Sequence, residues 1–271
     1  FPELGIQGAA VATVSCWIFI TSTFAALIFR RKNIKEFHLF DKRAFNKELF
    51  MRLMKYGVPG GVQLFLDILV FTFFVLMIGR LGKTELAVTN LVLSINGLSY
   101  MPMWGFSVGV STLVGQAMGR KRPDAAAIAA KSTVHIALVY VSTLILIFIL
   151  KPEPLINIFL SDNLSLAEKE PLMQIGIKLM KFVSLYLLFD ALIIIYTGVL
   201  KGAGDSQFIM TSIISVSVTC LFIPLWFGMQ HFGMGLYFAW SCITVYLIVL
   251  FIIVITRYHR GRWKEITILE H

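Results

Sequence analysis

Long apolar runs alternate with short polar segments along almost the whole chain. Seven runs contain more than 20 mainly apolar residues each, at 5–29, 57–79, 86–114, 125–150, 177–200, 207–229 and 233–256. A helix needs roughly 20 such residues to cross a bilayer, where every backbone group must find an internal partner. The runs are too long and continuous for the strands of a membrane barrel. The pattern therefore predicts an all-α integral membrane protein with about seven transmembrane helices.

Composition strengthens this prediction. The 271 residues are 58% hydrophobic and only 14% charged, whereas a soluble domain is about half apolar and about one quarter charged. The three cysteines, Cys16, Cys220 and Cys242, each lie inside an apolar run without CxxC spacing. We therefore expect them to be packing residues, and we infer neither a disulfide nor a metal site from them.

The net charge of +9 is distributed unevenly. Most Lys and Arg residues fall in the segments after the first, third, fifth and seventh runs, which argues against a nucleic-acid partner. Because Lys and Arg favour cytoplasmic loops, we expect 30–55 and 119–124 to be cytoplasmic and 151–170 to be external. The chain would then sit in the plasma (inner) membrane as a multi-pass protein, with the N-terminus outside and the C-terminus cytoplasmic. Seven helices in this orientation also fit a G-protein-coupled receptor, which stays open as an alternative.

The first and last runs resemble each other. LGIQGAAVATVSCW begins at Leu4 and FGMGLYFAWSCI begins at Phe232, and aligning Gly8 with Gly235 also aligns Ala12 with Ala239. Each run then ends in a basic cluster. If both are the last helix of a repeat, the chain holds the end of one repeat and all of a second, an arrangement that transporters commonly use.

This repeat predicts four segments. Residues 1–29 would be the last helix of an N-terminal lobe, 30–55 a cytoplasmic linker between lobes, 56–264 a C-terminal six-helix lobe, and 265–271 a tail. The linker alternates charged and aromatic residues, so we expect an amphipathic segment on the inner membrane surface.

Five stretches carry a resemblance to a known family. They are FPELGIQGAAVATV at 1–14, YGVPGGVQLFLD at 56–67, MPMWGFSVGVSTLVGQAMGRKRPDAA at 101–126, LSD at 160–162 and GVLKGAGD at 198–205. In this order and spacing they resemble the multidrug and toxic compound extrusion (MATE) transporters. The last stretch departs from the family's Leu-Arg-Gly-x-Gly-Asp, because Lys201 stands where the family has Arg.

The resemblance implies a fold of twelve helices in two six-helix lobes around a central cavity. This chain would supply one helix of the first lobe and the whole second lobe, and would need the missing N-terminal lobe as its partner. From the residues alone we expect Pro59 and Pro102 to favour kinks. We also expect the pairs Gly105 and Gly109, and Gly115 and Gly119, to permit close helix contacts, and Asp205 to cap the following helix.

Two acidic residues stand out inside the apolar runs. Asp67 lies ten residues past Gly57 and Asp190 lies eleven residues before Lys201, which places both about 15 Å deep at 1.5 Å per residue. Charged groups at this depth are costly and commonly mark ion paths or proton relays. No Lys or Arg lies at the same level of either run, so we expect the two carboxylates to form one site.

Neighbouring residues extend this candidate site. Gln63 is one turn from Asp67, and Tyr186 is one turn from Asp190. Together they offer hard oxygen ligands suited to Na⁺, or a carboxylate pair that shares a proton. The resemblance adds that the Na⁺-coupled branch of the family has an acid in its seventh helix and a Tyr four residues before an Asp in its tenth. That first acid is usually Glu, whereas Asp67 is one methylene shorter.

The remaining polar residues give weaker signals. Asn96 and Thr197 are weak candidates for lining a substrate cavity, although each more simply hydrogen-bonds a neighbouring helix. The sequence holds no catalytic triad, metal-ligand cluster or phosphate loop, so we expect no enzyme activity, no ATP-driven transport and no cofactor beyond Na⁺ or H⁺ as coupling ion.

The sequence thus predicts a secondary-active antiporter in the lipid bilayer. It would export small organic, often cationic, molecules in exchange for Na⁺ or H⁺, by alternating access between two lobes. A lipid-linked glycan flippase of the same superfamily is the alternative, although basic residues would then be expected in the cavity. A seven-helix receptor fits less well because of the repeat.

Overall fold

The computed structural model of this chain describes residues 5–37, 45–160 and 166–266, and these residues form helices joined by short turns. The helices are α1 (Gly5–Ile28), α2 (Arg31–Phe37), α3 (Lys47–Gly79), α4 (Lys83–Gly119), α5 (Pro123–Leu150), α6 (Pro152–Phe159), α7 (Leu166–Gly202), α8 (Ser206–Val216), α9 (Ile223–His231) and α10 (Leu236–His259). The all-α membrane fold that the sequence predicts is confirmed. Asp162 of the LSD motif and the central part of the predicted linker lie outside the described residues.

Six helical segments of the described chain are long and apolar enough to cross a membrane. They are Ala10–Ile28, Lys47–Gly79, Pro123–Leu150, Lys169–Gly202, Ser206–His231 and Leu236–His259. The predicted run at 86–114 also folds as one helix, α4, whose 37 residues exceed the length that a span needs. Its Asn and Ser residues make it more polar than the other six.

Helix α3 begins ten residues before the apolar run that predicted it. The Asn46 side chain caps it, because Oδ1 accepts hydrogen bonds from the backbone N–H groups of Glu48 and Leu49 at 3.0 and 3.1 Å. Charged residues are compatible with a helix outside the bilayer, so α3 can extend beyond the apolar run. Part of the predicted linker is therefore helix.

The chain divides into two compact units, Phe1–Leu53 and Met54–His271. In the first unit, the Asn33 side-chain amide donates to the carbonyl of Leu27 at 2.7 Å and so ties α2 to the end of α1. In the second unit, α7 is central and packs against α4, α5 and α10. Its core includes the fully buried side chains of Phe74 and Trp240.

Helices α4 and α7 approach each other closely at two glycines of α7. A Cβ added to Gly198 would lie 2.6 Å from Ser107 Oγ, and one added to Gly202 would overlap the carbonyl of Ser111. The Ser107 hydroxyl donates to the carbonyl of Ile194 at 2.8 Å and closes this seam. The glycines of α7 therefore fix the register of the two helices.

The prediction of close contact holds at Gly115, where an added Cβ would lie 3.4 Å from the carbonyl of Gly202. It is wrong for this unit at Gly105 and Gly109. A Cβ at either position would meet open space among the described residues. The reason is geometric, because both glycines lie on the face of α4 that points away from α7. Sequence spacing identifies small residues but not which neighbour they approach.

Proline residues within the helices produce different local outcomes. Helices α3 and α4 continue through Pro59 and Pro102. Between α8 and α9 the chain instead forms a π-helical turn, Ser217–Phe222, just before Pro224. Because proline lacks an N–H and crowds the preceding turn, this wider turn accommodates it within one continuous span.

Candidate functional site

The two aspartates of the sequence prediction lie within electrostatic range of each other in the second unit. Asp67 of α3 is exposed at the surface of the lobe, whereas Asp190 of α7 is half-buried. The two carboxylates are close enough to interact electrostatically. Asp67, on α3, is therefore accessible to solvent or to an ion, whereas Asp190, on α7, is partly enclosed by the protein.

Gln63 completes the α3 side of this site. Its side chain is 4% exposed, and Nε2 donates to Asp67 Oδ2 at 3.5 Å, which is a weak hydrogen bond. Its Oε1 is buried and has no hydrogen-bond partner among the described residues. A buried, unpaired amide oxygen is unfavourable unless something binds it. A cation or a water molecule next to Asp67 would satisfy it.

Aromatic packing fixes Tyr186 on the α7 side. The buried Tyr186 ring stacks on Trp240 of α10, with ring centroids 6.4 Å apart and an angle of 23° between the planes. Phe74 of α3 meets the same indole edge-on, at 5.6 Å and 83°. Tyr186 therefore occupies a defined position one turn from Asp190.

The seam between α4 and α7 places two further residues beside this site. Counting back about two turns along both helices from the Ser107–Gly198 contact brings Tyr100 level with Asp190. About one turn further out, Asn96 is level with Tyr186. The Asn96 Oδ1 atom is buried without a partner among the described residues. Asn96 thus has a buried, unpaired amide oxygen at the level of the site.

Two tyrosines that the sequence prediction omitted lie near the carboxylates. Tyr100 of α4 and Tyr246 of α10 are both within electrostatic range of Asp67 and Asp190. Tyr100 is one turn from Asn96, so its position on that face could have been read from the spacing. Tyr246 had no such signal, because its place depends on how α10 packs against α7.

Thr197 is separated from the rest of the candidate site. It is 8% exposed and lies next to Gly198, at the seam between α7 and α4. About two turns of α7 separate it from Asp190. Its surroundings are those of a packed helix interface.

Lys201 changes the expected electrostatics of the pair. The sequence indicated no positive charge at the level of the carboxylates, yet the Lys201 ammonium lies within electrostatic range of Asp67. The long lysine side chain explains the difference, because it extends the charge well beyond its own Cα. Asp67 therefore faces a repelling carboxylate and an attracting ammonium.

The donor set restricts what this site can bind. No group of three or more His, Cys, Asp or Glu side chains that could hold a metal ion occurs among residues 5–37, 45–160 and 166–266. The site instead combines two carboxylates with neutral amide and phenol oxygens. Such hard oxygen ligands suit a hard cation such as Na⁺, and the paired carboxylates suit a shared proton.

Comparison with known proteins places this arrangement in context. The family model described as MatE matches residues 59–227, which is more than half of the chain. The probable multidrug resistance protein NorM of Thermotoga maritima is 27% identical over 99% of this chain and 56% of its own length. The multidrug resistance protein NorM of Vibrio cholerae is 27% identical over 75% of this chain and 43% of its own length. The chain thus spans about half the length of the curated relatives it matches.

Solved structures share the fold. A eukaryotic MATE transporter, AtDTX14, superposes with a TM-score of 0.80 at 22% identity, over 97% of this chain and 58% of its own. A transporter of the MOP superfamily from Pyrococcus furiosus gives a TM-score of 0.79 at 17% identity, again over 97% of this chain and 58% of its own. At these identities the likeness shows the fold alone.

Proposed function

Because this chain belongs to the MatE family of multidrug and toxic compound extrusion transporters, we propose that it forms the C-terminal half of a secondary-active exporter. Residues 56–264 would be the C-terminal lobe, residues 1–29 the last helix of the N-terminal lobe, and 30–55 the cytoplasmic linker. The function would require the remaining helices of the N-terminal lobe, since the substrate cavity lies between two lobes. The N-terminus of the chain would be outside and its C-terminus cytoplasmic.

The proposed activity is the export of small organic, often cationic, molecules in exchange for Na⁺ or H⁺ by alternating access. The observation that carries this proposal is the approach of Asp67 and Asp190 next to the unpaired amide oxygen of Gln63. Like charges in a membrane-spanning region repel, so the pair favours a state that holds a cation or a proton. Binding and release of that ion would bias the equilibrium between lobe orientations.

All the candidate residues except Thr197 have a proposed role. Asp67 and Asp190 would neutralise the coupling ion, while Tyr186 and Gln63 would supply neutral oxygens to Na⁺. Asn96, on α4, would add a further neutral oxygen to the ion site instead of lining a separate substrate cavity. No enzyme reaction and no further cofactor enters this scheme.

The alternatives from the sequence are less consistent with these findings. Because the chain belongs to this family, the seven-helix receptor is excluded as an alternative. The flippase alternative is not favoured, because the curated relatives are named multidrug resistance proteins and the site contains two acids.

Efflux of a fluorescent organic cation from cells that express the natural gene product tests this function. Cells are loaded with dye without Na⁺, and then either NaCl or a matched potassium salt is added at constant pH. The proposal expects efflux that starts on addition of Na⁺, or on acidification outside if H⁺ couples, and that is absent from the Asp67→Asn variant. Efflux that follows neither gradient would contradict ion coupling.

A further inference from the structure

An ion pair joins the last turn of α10 to the turn between α7 and α8. The guanidinium of Arg257, in the last turn of α10, donates from Nε to Asp205 Oδ2 at 2.7 Å and from Nη2 to Oδ1 at 3.2 Å. Asp205 lies between α7 and α8 and is 7% exposed. The predicted side-chain cap of α8 is wrong: the Asp205 side chain makes no hydrogen bond to the first turn of that helix. Its carboxylate binds Arg257 instead.

One aromatic ring covers the Arg257 guanidinium, and others hold the residue that follows it. The Arg257 guanidinium lies over the Phe208 ring of α8, 4.7 Å from its centroid. The next residue, Tyr258, packs between Tyr196 of α7 and Trp263, with centroid distances of 4.7 and 5.4 Å. Trp263 is fully buried and donates from Nε1 to the Tyr258 carbonyl at 3.0 Å. The end of α10 is thus held from several sides.

The turn that carries Asp205 is also fixed on its other side. Gly202 lies against the backbone of Ser111 in α4, where a Cβ would not fit. Gly204 has a φ of +90°, and the Asp205 N–H donates to the Leu200 carbonyl at 2.9 Å. These contacts hold the turn in a conformation that presents the carboxylate to α10.

We propose that Asp205 and Arg257 form a clamp that positions α7 and α10 relative to each other, and thereby positions the cation-site residues those helices carry. Asp190 lies on α7 and Tyr246 on α10, and neither helix can slide or rotate without breaking a two-point hydrogen-bonded contact. Both Asp205 and Arg257 are positioning residues, because they act through other side chains. This inference rests on the proposed ion coupling for its functional consequence.

The geometry of an ion pair is suited to fixing the alignment of two helices. Charge-assisted, bidentate bonds between Arg and a carboxylate add geometric specificity that apolar contacts lack. Apolar packing alone, such as the Phe189–Phe251 ring contact between the same helices, tolerates small rotations. The pair therefore sets one alignment of α7 and α10 among several that the apolar surfaces allow.

Charge exchange in the natural gene product tests the clamp directly. The variants are Asp205→Asn, Arg257→Gln, Arg257→Lys, and the exchanged pair Asp205→Arg with Arg257→Asp. Arg260→Gln is the matched control, because Arg260 is an exposed arginine one turn further on. Spin labels at Leu185 and Val245, exposed neighbours of Tyr186 and Tyr246 in a cysteine-free background, report the distance between α7 and α10 by pulsed electron resonance.

The clamp predicts a narrow distance distribution in the parent and in Arg260→Gln. It predicts a broader one in Asp205→Asn and Arg257→Gln, and recovery in the exchanged pair. The cation concentration for half-maximal efflux should rise at least about fivefold in Asp205→Asn and in Arg257→Gln, and return toward the parent value in the exchanged pair. Arg257→Lys should be intermediate, and it keeps the test informative if the neutral variants do not fold.

Two results would overturn the clamp. One is a distribution in Asp205→Asn that is as narrow as in the parent. The other is an exchanged pair no better than the single variants, which would leave only a fold-stabilising role. Asp67→Asn in the same efflux assay separates the two proposals. If it leaves cation dependence intact, ion coupling fails, whereas the label distances still decide whether the clamp positions the helices.

Discussion

The Tyr186 ring lies stacked on the Trp240 indole at 6.4 Å, so its position is set by packing independently of its hydroxyl group. Tyr186→Phe should keep this stack and leave the free energy of unfolding within about 0.5 kcal/mol of the parent. If the phenol oxygen is a ligand of Na⁺, the Na⁺ concentration for half-maximal efflux should rise about tenfold, because a bond to a charged group contributes about 1.5 kcal/mol.

Tyr196→Phe is the matched control, because Tyr196 is another buried tyrosine of α7 that packs against an aromatic ring of α10. It should leave Na⁺ dependence unchanged. Equal effects of the two substitutions would mean that Tyr186 acts through packing. No effect of either would favour a proton-coupled pair of carboxylates.

Removing the Lys201 charge should strengthen cation binding. The ammonium lies within electrostatic range of Asp67, so it competes with an incoming cation for the same carboxylate. Lys201→Met should lower the cation concentration for half-maximal efflux about threefold, and Lys201→Arg should leave it near the parent value. Lys264→Met, at an exposed lysine beside Trp263, is the control. A weaker cation dependence in Lys201→Met would mean that Lys201 supports the site instead of competing with its ligand.

Alanine substitutions should separate the two sets of glycines. Gly198→Ala places a methyl group 2.7 Å from the Ser107 carbonyl and should destabilise the protein by about 1–3 kcal/mol, seen as a lower melting temperature in detergent. Gly109→Ala adds its methyl group in open space within this lobe and should not lower the melting temperature. Similar melting temperatures for the two variants would contradict the seam between α4 and α7.

The charge pattern predicts the orientation of the chain across the membrane. Arg122 and Lys151 are exposed residues at opposite ends of α5, whose 28 residues span about 42 Å. In a background without Cys16, Cys220 and Cys242, a cysteine at Lys151 should react with an impermeant reagent added outside. A cysteine at Arg122 should react only after the membrane is opened. The reverse pattern would show that the proposed orientation is inverted.

The helices were largely predictable because lipid imposes one dominant pattern. Long apolar runs identified the spans, and the depth calculation placed Asp67 and Asp190 at similar levels. Where the helix extended into water, as at Lys47, hydrophobicity gave no boundary and the Asn46 cap decided it. Periodicity within one helix was enough to associate Gln63 with Asp67 and Tyr186 with Asp190.

What the sequence could not supply was the relation between helices. The membrane-spanning helices are apolar around most of their circumference, so the pattern does not say which face meets which neighbour. The contribution of Tyr246, the reach of Lys201 to Asp67, and the pairing of Asp205 with Arg257 all depend on that packing. Asp205 illustrates the point, because a local rule predicted a helix cap and a partner 52 residues away took the carboxylate.

The most direct test of the account compares four proteins at equal abundance: the parent, Asp67→Asn, Asp190→Asn and the double variant. Asn keeps the shape of the side chain and removes its charge, and Asp124→Asn, at an exposed acid of α5, is the control. The measurement is the rate of organic-cation efflux as a function of Na⁺ and of pH. If the carboxylates form one site, each single variant should lose cation-dependent efflux, and the double variant should be hardly worse than either. Partial losses that add in the double variant, or cation dependence that survives in either single variant, would contradict a shared coupling site.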